Sequence, residues 1–260
     1  MLTSSYVQDQ RHATKSARFV PVQPSQIGLV LADHGFELGH LKTAHARNPE
    51  RADHQTTIAR YTARDSADVA RIIGDGSKLD ILVRAPHLTG SIEIRLGWFR
   101  HTCANQWNAG SLLATFKTPH LAGCLEALNA AIPRLVAQRS ALVDSIAQMS
   151  ARAVTPHELV DLAHRVADLR MAGIESVSQR HVGDLLTLRR DADSRSDLFS
   201  VANVLQENAL RFGMRYEQVT GEGPALATRN MRTRPVVETT GRAIELTGSI
   251  WEAASALLAA

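Results

Sequence analysis

A change of hydrophobic period near residue 120 constrains the fold of this 260-residue chain more than any other feature. Before it, apolar and polar residues alternate, most clearly in Ser91-Ile92-Glu93-Ile94-Arg95-Leu96, the period of a strand with two unlike faces. After it, Leu121, Leu125, Leu128, Ile132, Leu135 and Val136 recur at helical spacing, and the pattern resumes through Leu142, Ile146 and Met149. Strands first and helices later predict an α+β fold: a twisted, mostly antiparallel sheet in the N-terminal half, packed by helices from the C-terminal half.

The chain reads as a single α+β domain, 1–260, in four parts. Residues 1–36 form an arm that ends in Ile27-Gly28-Leu29-Val30-Leu31, a strand or helical turn. Residues 37–120 are strand-rich. Two strands fall within 38–62, a short helix at 66–73, and a hairpin at 79–83 and 91–100 around Pro86 and Gly90. Residues 121–213 are helical, with Pro133 expected to kink or split the first helix. Thr155-Pro156-His157-Glu158 is a capping box that starts another helix, and Gly173 stands where it should end. Further helices are predicted at 182–190 and 197–212. Residues 214–260 hold the loop Gly221-Glu222-Gly223-Pro224, a short strand at 235–238 and a final helix at 242–258.

Hydrophobic residues at 44% and charged residues at 21% describe an ordinary globular chain. No apolar run approaches the ~18 residues that span a bilayer, and Met1-Leu2-Thr3-Ser4-Ser5 lacks a signal-peptide core. The expectation is a cytoplasmic protein with no membrane partner. Two cysteines, Cys103 and Cys124, are too few for a disulfide framework.

The net charge is only +3, but it is unevenly placed. Residues 38–64 carry five Lys/Arg against two acids, and 84–120 and 229–242 each carry four against one. Brought together, such stretches would attract a polyanion.

The residues offer three candidate chemistries. His101, Cys103, His120 and Cys124 offer zinc-ligand types, but their spacing is unlike common zinc motifs and Cys124 sits on an apolar helical stripe, so no metal is expected. No nucleophile elbow, His-Glu-x-x-His helix, Walker loop or dinucleotide fingerprint occurs, so no catalytic residue and no cofactor are expected. The third is nucleic-acid binding. Aromatic rings interleave with cations in the strand-rich part, and rings stack on unpaired bases while cations hold phosphates. By strand parity Trp98 joins Ile92, Ile94 and Leu96 on the core face, whereas Phe99 and Arg95 point the other way. The predicted binding residues are Arg60, Arg95, Phe99, Arg100, His101, Asn105, Lys117, Arg232 and Arg234.

Several blocks together resemble the phage- and plasmid-associated family catalogued as domain of unknown function 932. They are Gly39-His40-Leu41-Lys42-Thr43, Gly97-Trp98-Phe99-Arg100 with Cys103-Ala104-Asn105, Lys117-Thr118-Pro119-His120, Asn203-Val204-Leu205-Gln206-Glu207-Asn208, and Arg232-Thr233-Arg234-Pro235 leading into a helix with Trp251. Cys103-Ala104-Asn105 is followed by Gln106 where the family pattern has Gly. The resemblance implies a mobile-element accessory protein and brings no established activity. The order of blocks also looks loosely like phage single-strand annealing recombinases, an analogy of architecture. The resulting expectation is a non-enzymatic, homo-oligomeric protein that binds single-stranded DNA, annealing or protecting it. The alternative is a factor that binds a host or phage protein through an apolar helix stripe.

Overall fold

Alternation does set the strands. In a computed structural model describing residues 12–43, 54–64, 78–88, 90–99, 112–221, 225–236 and 241–259, β1 (Phe36–Thr43), β2 (Thr57–Ala63), β3 (Lys78–Ala85), β4 (Ile92–Phe99) and β5 (Leu112–Thr118) form one antiparallel sheet in sequence order. The β3–β4 register pairs Ile81 with Leu96 and Val83 with Ile94, which puts all four on one face. All four are buried.

That apolar face is covered by α1 (Pro24–Asp33) and α2 (Cys124–Val136). Gly28 lets α1 approach β2 closely, since a Cβ there would lie 3.3 Å from the Tyr61 hydroxyl. The same hydroxyl donates to the Pro24 carbonyl at 3.3 Å. The apolar run at 27–31 is therefore helix; Pro24 at its first turn and Ile27 and Leu31 one turn apart on the buried side make it so.

The described residues gather into two compact units, one ending at Val143 and the other beginning at Asp144. α3 (Arg139–Ala151) runs from the first into the second. The second unit holds α4 (Pro156–Met171), α5 (Leu198–Glu207), α6 (Gly241–Ser255) and a three-stranded antiparallel sheet of β6 (Val177–Arg180), β7 (Arg215–Thr220) and β8 (Ala227–Arg232). Its helices meet over Leu162, Val166, Leu205, Ile250 and Trp251, all buried. Gln206 is fully buried and is satisfied on both sides, donating to Thr247 Oγ1 and accepting from Trp251 Nε1, each at 3.1 Å.

The fold is α+β. Local expectations fare unevenly. The Thr155 capping box is formed, with Glu158 N–H donating to Thr155 Oγ1 at 3.3 Å and Glu158 accepting from Thr155 N–H at 2.9 Å. Gly173 follows α4 at φ +85°. Pro133 does not split α2. The helix runs through it to Val136, because a proline in the last turn removes only one donor. The helix predicted at 182–190 shortens to a single 3-10 turn, Val182–Leu186. The one predicted at 197–212 is α5, capped by Asp197 on the Ser200 N–H at 2.9 Å, and it ends in a π turn over Asn208–Phe212. Val236 lies in extended chain outside any strand, and residues 237 and 238 lie outside the described set. The helix predicted at 66–73 also lies outside the described residues.

Candidate functional site

The second face of the five-stranded sheet is charged. Cross-strand register places Lys42 opposite Ile58, Arg60 opposite Leu82, Leu82 opposite Arg95, Arg84 opposite Glu93, and Glu93 opposite Lys117. Because paired residues in a sheet share a face, Lys42, Arg60, Arg84, Arg95 and Lys117 stand together with Asp80 and Glu93. Five cations meet two carboxylates there, among the described side chains. An exposed Arg64–Glu37 pair (2.8 Å) on the β1–β2 side adds no net charge. From β1 to β5 the face is four strand spacings wide, about 19 Å.

Its centre is buried and its margins are open. Arg60 is 4% exposed and Asp80 0%, and they pair at 3.2 Å. Burial lowers the Arg60 pKa, and the Asp80 charge opposes that fall. Glu93 is likewise buried, and its Oε1 accepts from Arg95 Nη2 at 2.6 Å and from Lys117 Nζ at 2.9 Å. Burial by itself pushes the Glu93 pKa up; the hydrogen bonds from Lys117 and Arg95, with their charges, outweigh it and hold the carboxyl below its usual range. Arg84 is half-buried, and no acceptor reaches its Nε or that of Arg95. Lys42 and Lys117 are exposed at opposite edges of the sheet, on β1 and β5.

Of the residues predicted from sequence, the structure thus brings Arg60, Arg95 and Lys117 onto one face. Parity holds over the described side chains of β4, where Ile92, Ile94 and Leu96 are core and Glu93 and Arg95 lie on the other side; the side chains of Trp98 and Phe99 lie outside the described set. The strand is less open than alternation alone suggests, since its polar face is closed over ion pairs. Arg60 faces no solvent; it neutralises Asp80 inside the sheet. Phe99 ends β4 opposite Lys78 by backbone pairing. Arg100, His101 and Asn105 lie outside the described residues, as does Cys103. Arg232 and Arg234 belong to the second unit and are exposed there. Arg232 stands directly across β7–β8 from Arg215 and donates through Nε to the Phe212 carbonyl at 3.1 Å. Sequence reasoning passed over Arg84 and Lys42. Both are legible in hindsight, because their rows are fixed once the β2–β3 and β1–β2 registers are known.

A second cluster lies in the first unit, where the β3–β4 loop meets the end of β5. His87 and His120 are buried, with ring centroids 5.8 Å apart, and Phe19 stacks on His120 at 4.9 Å. No hydrogen-bond partner stands at bonding geometry to either ring nitrogen of these two histidines. Burial, with the His120 and His54 charges, pushes the His87 pKa down to about 4. His120 is also lowered by burial; the Pro86 and Val20 carbonyls oppose this, and the Lys15 charge adds to it. Among the described residues, no group of three or more His, Cys, Asp or Glu is placed to hold a metal ion. Cys124 is a buried free thiol whose pKa burial raises.

The blocks that carry the resemblance span both units: Gly39–Thr43 lies in β1, Asn203–Asn208 in and just after α5, and Trp251 in α6. The chain belongs to the family described as Domain of unknown function (DUF932). The family model matches residues 11–251, and so takes in the charged sheet face, the histidine cluster and the whole core of the second unit. No curated protein and no solved structure matches the chain. No helix of the described residues is long and apolar enough to cross a membrane.

Proposed function

We propose that this protein binds single-stranded DNA along the charged face of its five-stranded sheet, as a non-enzymatic accessory protein of a phage or plasmid that anneals or protects the strand. One observation carries the reading: among the described side chains, that face carries three more cations than carboxylates, the exposed Arg64–Glu37 pair cancelling itself. A surplus of positive charge held on a sheet by fixed register costs stability through self-repulsion, and a polyanion relieves it. Lys42 and Lys117, exposed at opposite edges of the sheet, are the phosphate contacts, and Arg84 and Arg95 lie between them. Arg60 and Asp80 hold the centre of the face without touching the ligand. Binding that depends on charge and tolerates any sequence is the behaviour of a strand-protecting protein.

Fluorescence anisotropy with labelled single-stranded oligonucleotides at several salt concentrations tests this. Affinity should fall with log salt by about 0.7 per phosphate contact, and absence of binding near ~50 mM salt refutes the reading. A protein partner recovered after nuclease treatment, together with that absence, would move the reading to protein binding.

A further inference from the structure

We propose that Glu93 is an internal stand-in for a phosphate, occupying the anion position of the sheet face and setting the affinity and salt dependence of the strand that displaces it. The inference rests on the proposed DNA-binding reading and adds a control element to it. One carboxylate oxygen of Glu93 takes donors from two neighbouring strands, Arg95 on its own β4 and Lys117 on β5, at 2.6 Å and 2.9 Å. On the other side, Arg84 of β3 sits directly opposite Glu93 in the register, and its Nε finds no acceptor. Two cations therefore hold the carboxylate, a third stands opposite it in the register, and the three strands leave two positive charges uncompensated. Phosphate oxygens accept hydrogen bonds from Lys and Arg with the same geometry as carboxylate oxygens, and a phosphodiester offers two such oxygens on one charge.

The two cations differ in what they can do. Arg95 is 15% exposed in its side chain and is anchored; Lys117 is 62% exposed on a flexible stem and can turn outward. Glu93 thus holds Lys117 in the free protein and releases it to a phosphate in the bound one. The carboxylate competes with the ligand for the same donors, so its removal should tighten binding.

Oligonucleotide titrations of the full chain over a salt series test this with three variants. Glu93→Gln should bind roughly three- to tenfold more tightly, the net worth of one ordinary hydrogen bond released from competition. Glu37→Gln makes the same change in net charge at the exposed Arg64–Glu37 pair and should change affinity much less. Equal tightening in both variants would reduce the effect to overall charge and overturn the inference. Lys117→Met alters only an exposed side chain and should weaken binding while cutting the salt slope by about 0.7. An unchanged slope in Lys117→Met overturns the inference even if Glu93→Gln does not fold. Failure of the unmodified protein to bind any oligonucleotide is a different result and removes the DNA-binding reading itself.

Discussion

Acid should weaken the first unit through His87 and His120, and the size of the effect follows from their burial. Each is within 3% of complete burial and has no hydrogen-bond partner at bonding geometry, so the folded protein holds both imidazoles neutral. In the unfolded chain a histidine titrates near pH 6.5, whereas folded His87 is pushed down to about 4. The unfolded state therefore takes up the proton first as pH falls. The stability tied to His87 is whole above about pH 6.5 and is lost progressively as pH drops through the window down to about 4. Linkage gives a loss of about 2 kcal/mol from His87 between pH 7 and pH 5, and His120 adds in the same direction. For a chain of this size that is a fall in Tm of about 5 °C. Of the groups facing the pair, His54, Lys15 and Phe19 supply no negative charge, and the Pro86 and Val20 carbonyls favour the His120 imidazolium without overcoming its burial. Thermal melts followed by circular dichroism from pH 7.5 to 4.5 measure this, with His87→Phe as the comparison. The variant should lose much of the slope between pH 6.5 and 5. An unchanged slope in His87→Phe would show that the pH dependence arises elsewhere and that this burial argument is wrong.

Asp80→Ala should cost about 3–5 kcal/mol in urea unfolding, because it leaves the Arg60 guanidinium buried at 4% exposure without its counter-charge, and a loss under 1 kcal/mol would refute the pairing. Gly213→Ala should destabilise the second unit by about 2–3 kcal/mol or more: the position has φ +69°, and an added Cβ would run into the Thr233 carbonyl. Hydrogen exchange that leaves α5 and β7 as protected as in the parent would count against it.

Local sequence grammar carried well where one rule acted alone. Alternation at 91–96 located β4 and separated its two faces, and Thr155 with Glu158 set the start of α4. Helical spacing found α2, α3 and α6 because each buries one apolar stripe, and α5 although it is buried on every side. The small sheet went unread for the same physical reason in reverse. Every residue of β8 is exposed, and β7 buries only Tyr216, so no apolar period marks these strands. They are held by backbone pairing and by polar side-chain bonds such as Thr220 Oγ1 to the Ala227 carbonyl, neither of which leaves an apolar period in the sequence. The run at 27–31 could not be told from a strand by five residues, and its packing on Tyr61 made it a helix.

The sequence by itself determined the α+β class, the β3–β4 hairpin, the caps and the family, since these depend on near neighbours and on ordered motifs. It also marked Arg60, Arg95 and Lys117 as cations of interest. Only the tertiary structure decided that Arg84 and Lys42 join them, that Arg60 is spent on Asp80, and that Glu93 sits among three cations. Those facts depend on which residue of one strand lies opposite which residue of the next. Register is a non-local quantity: a shift of one residue would send every one of these side chains to the other face.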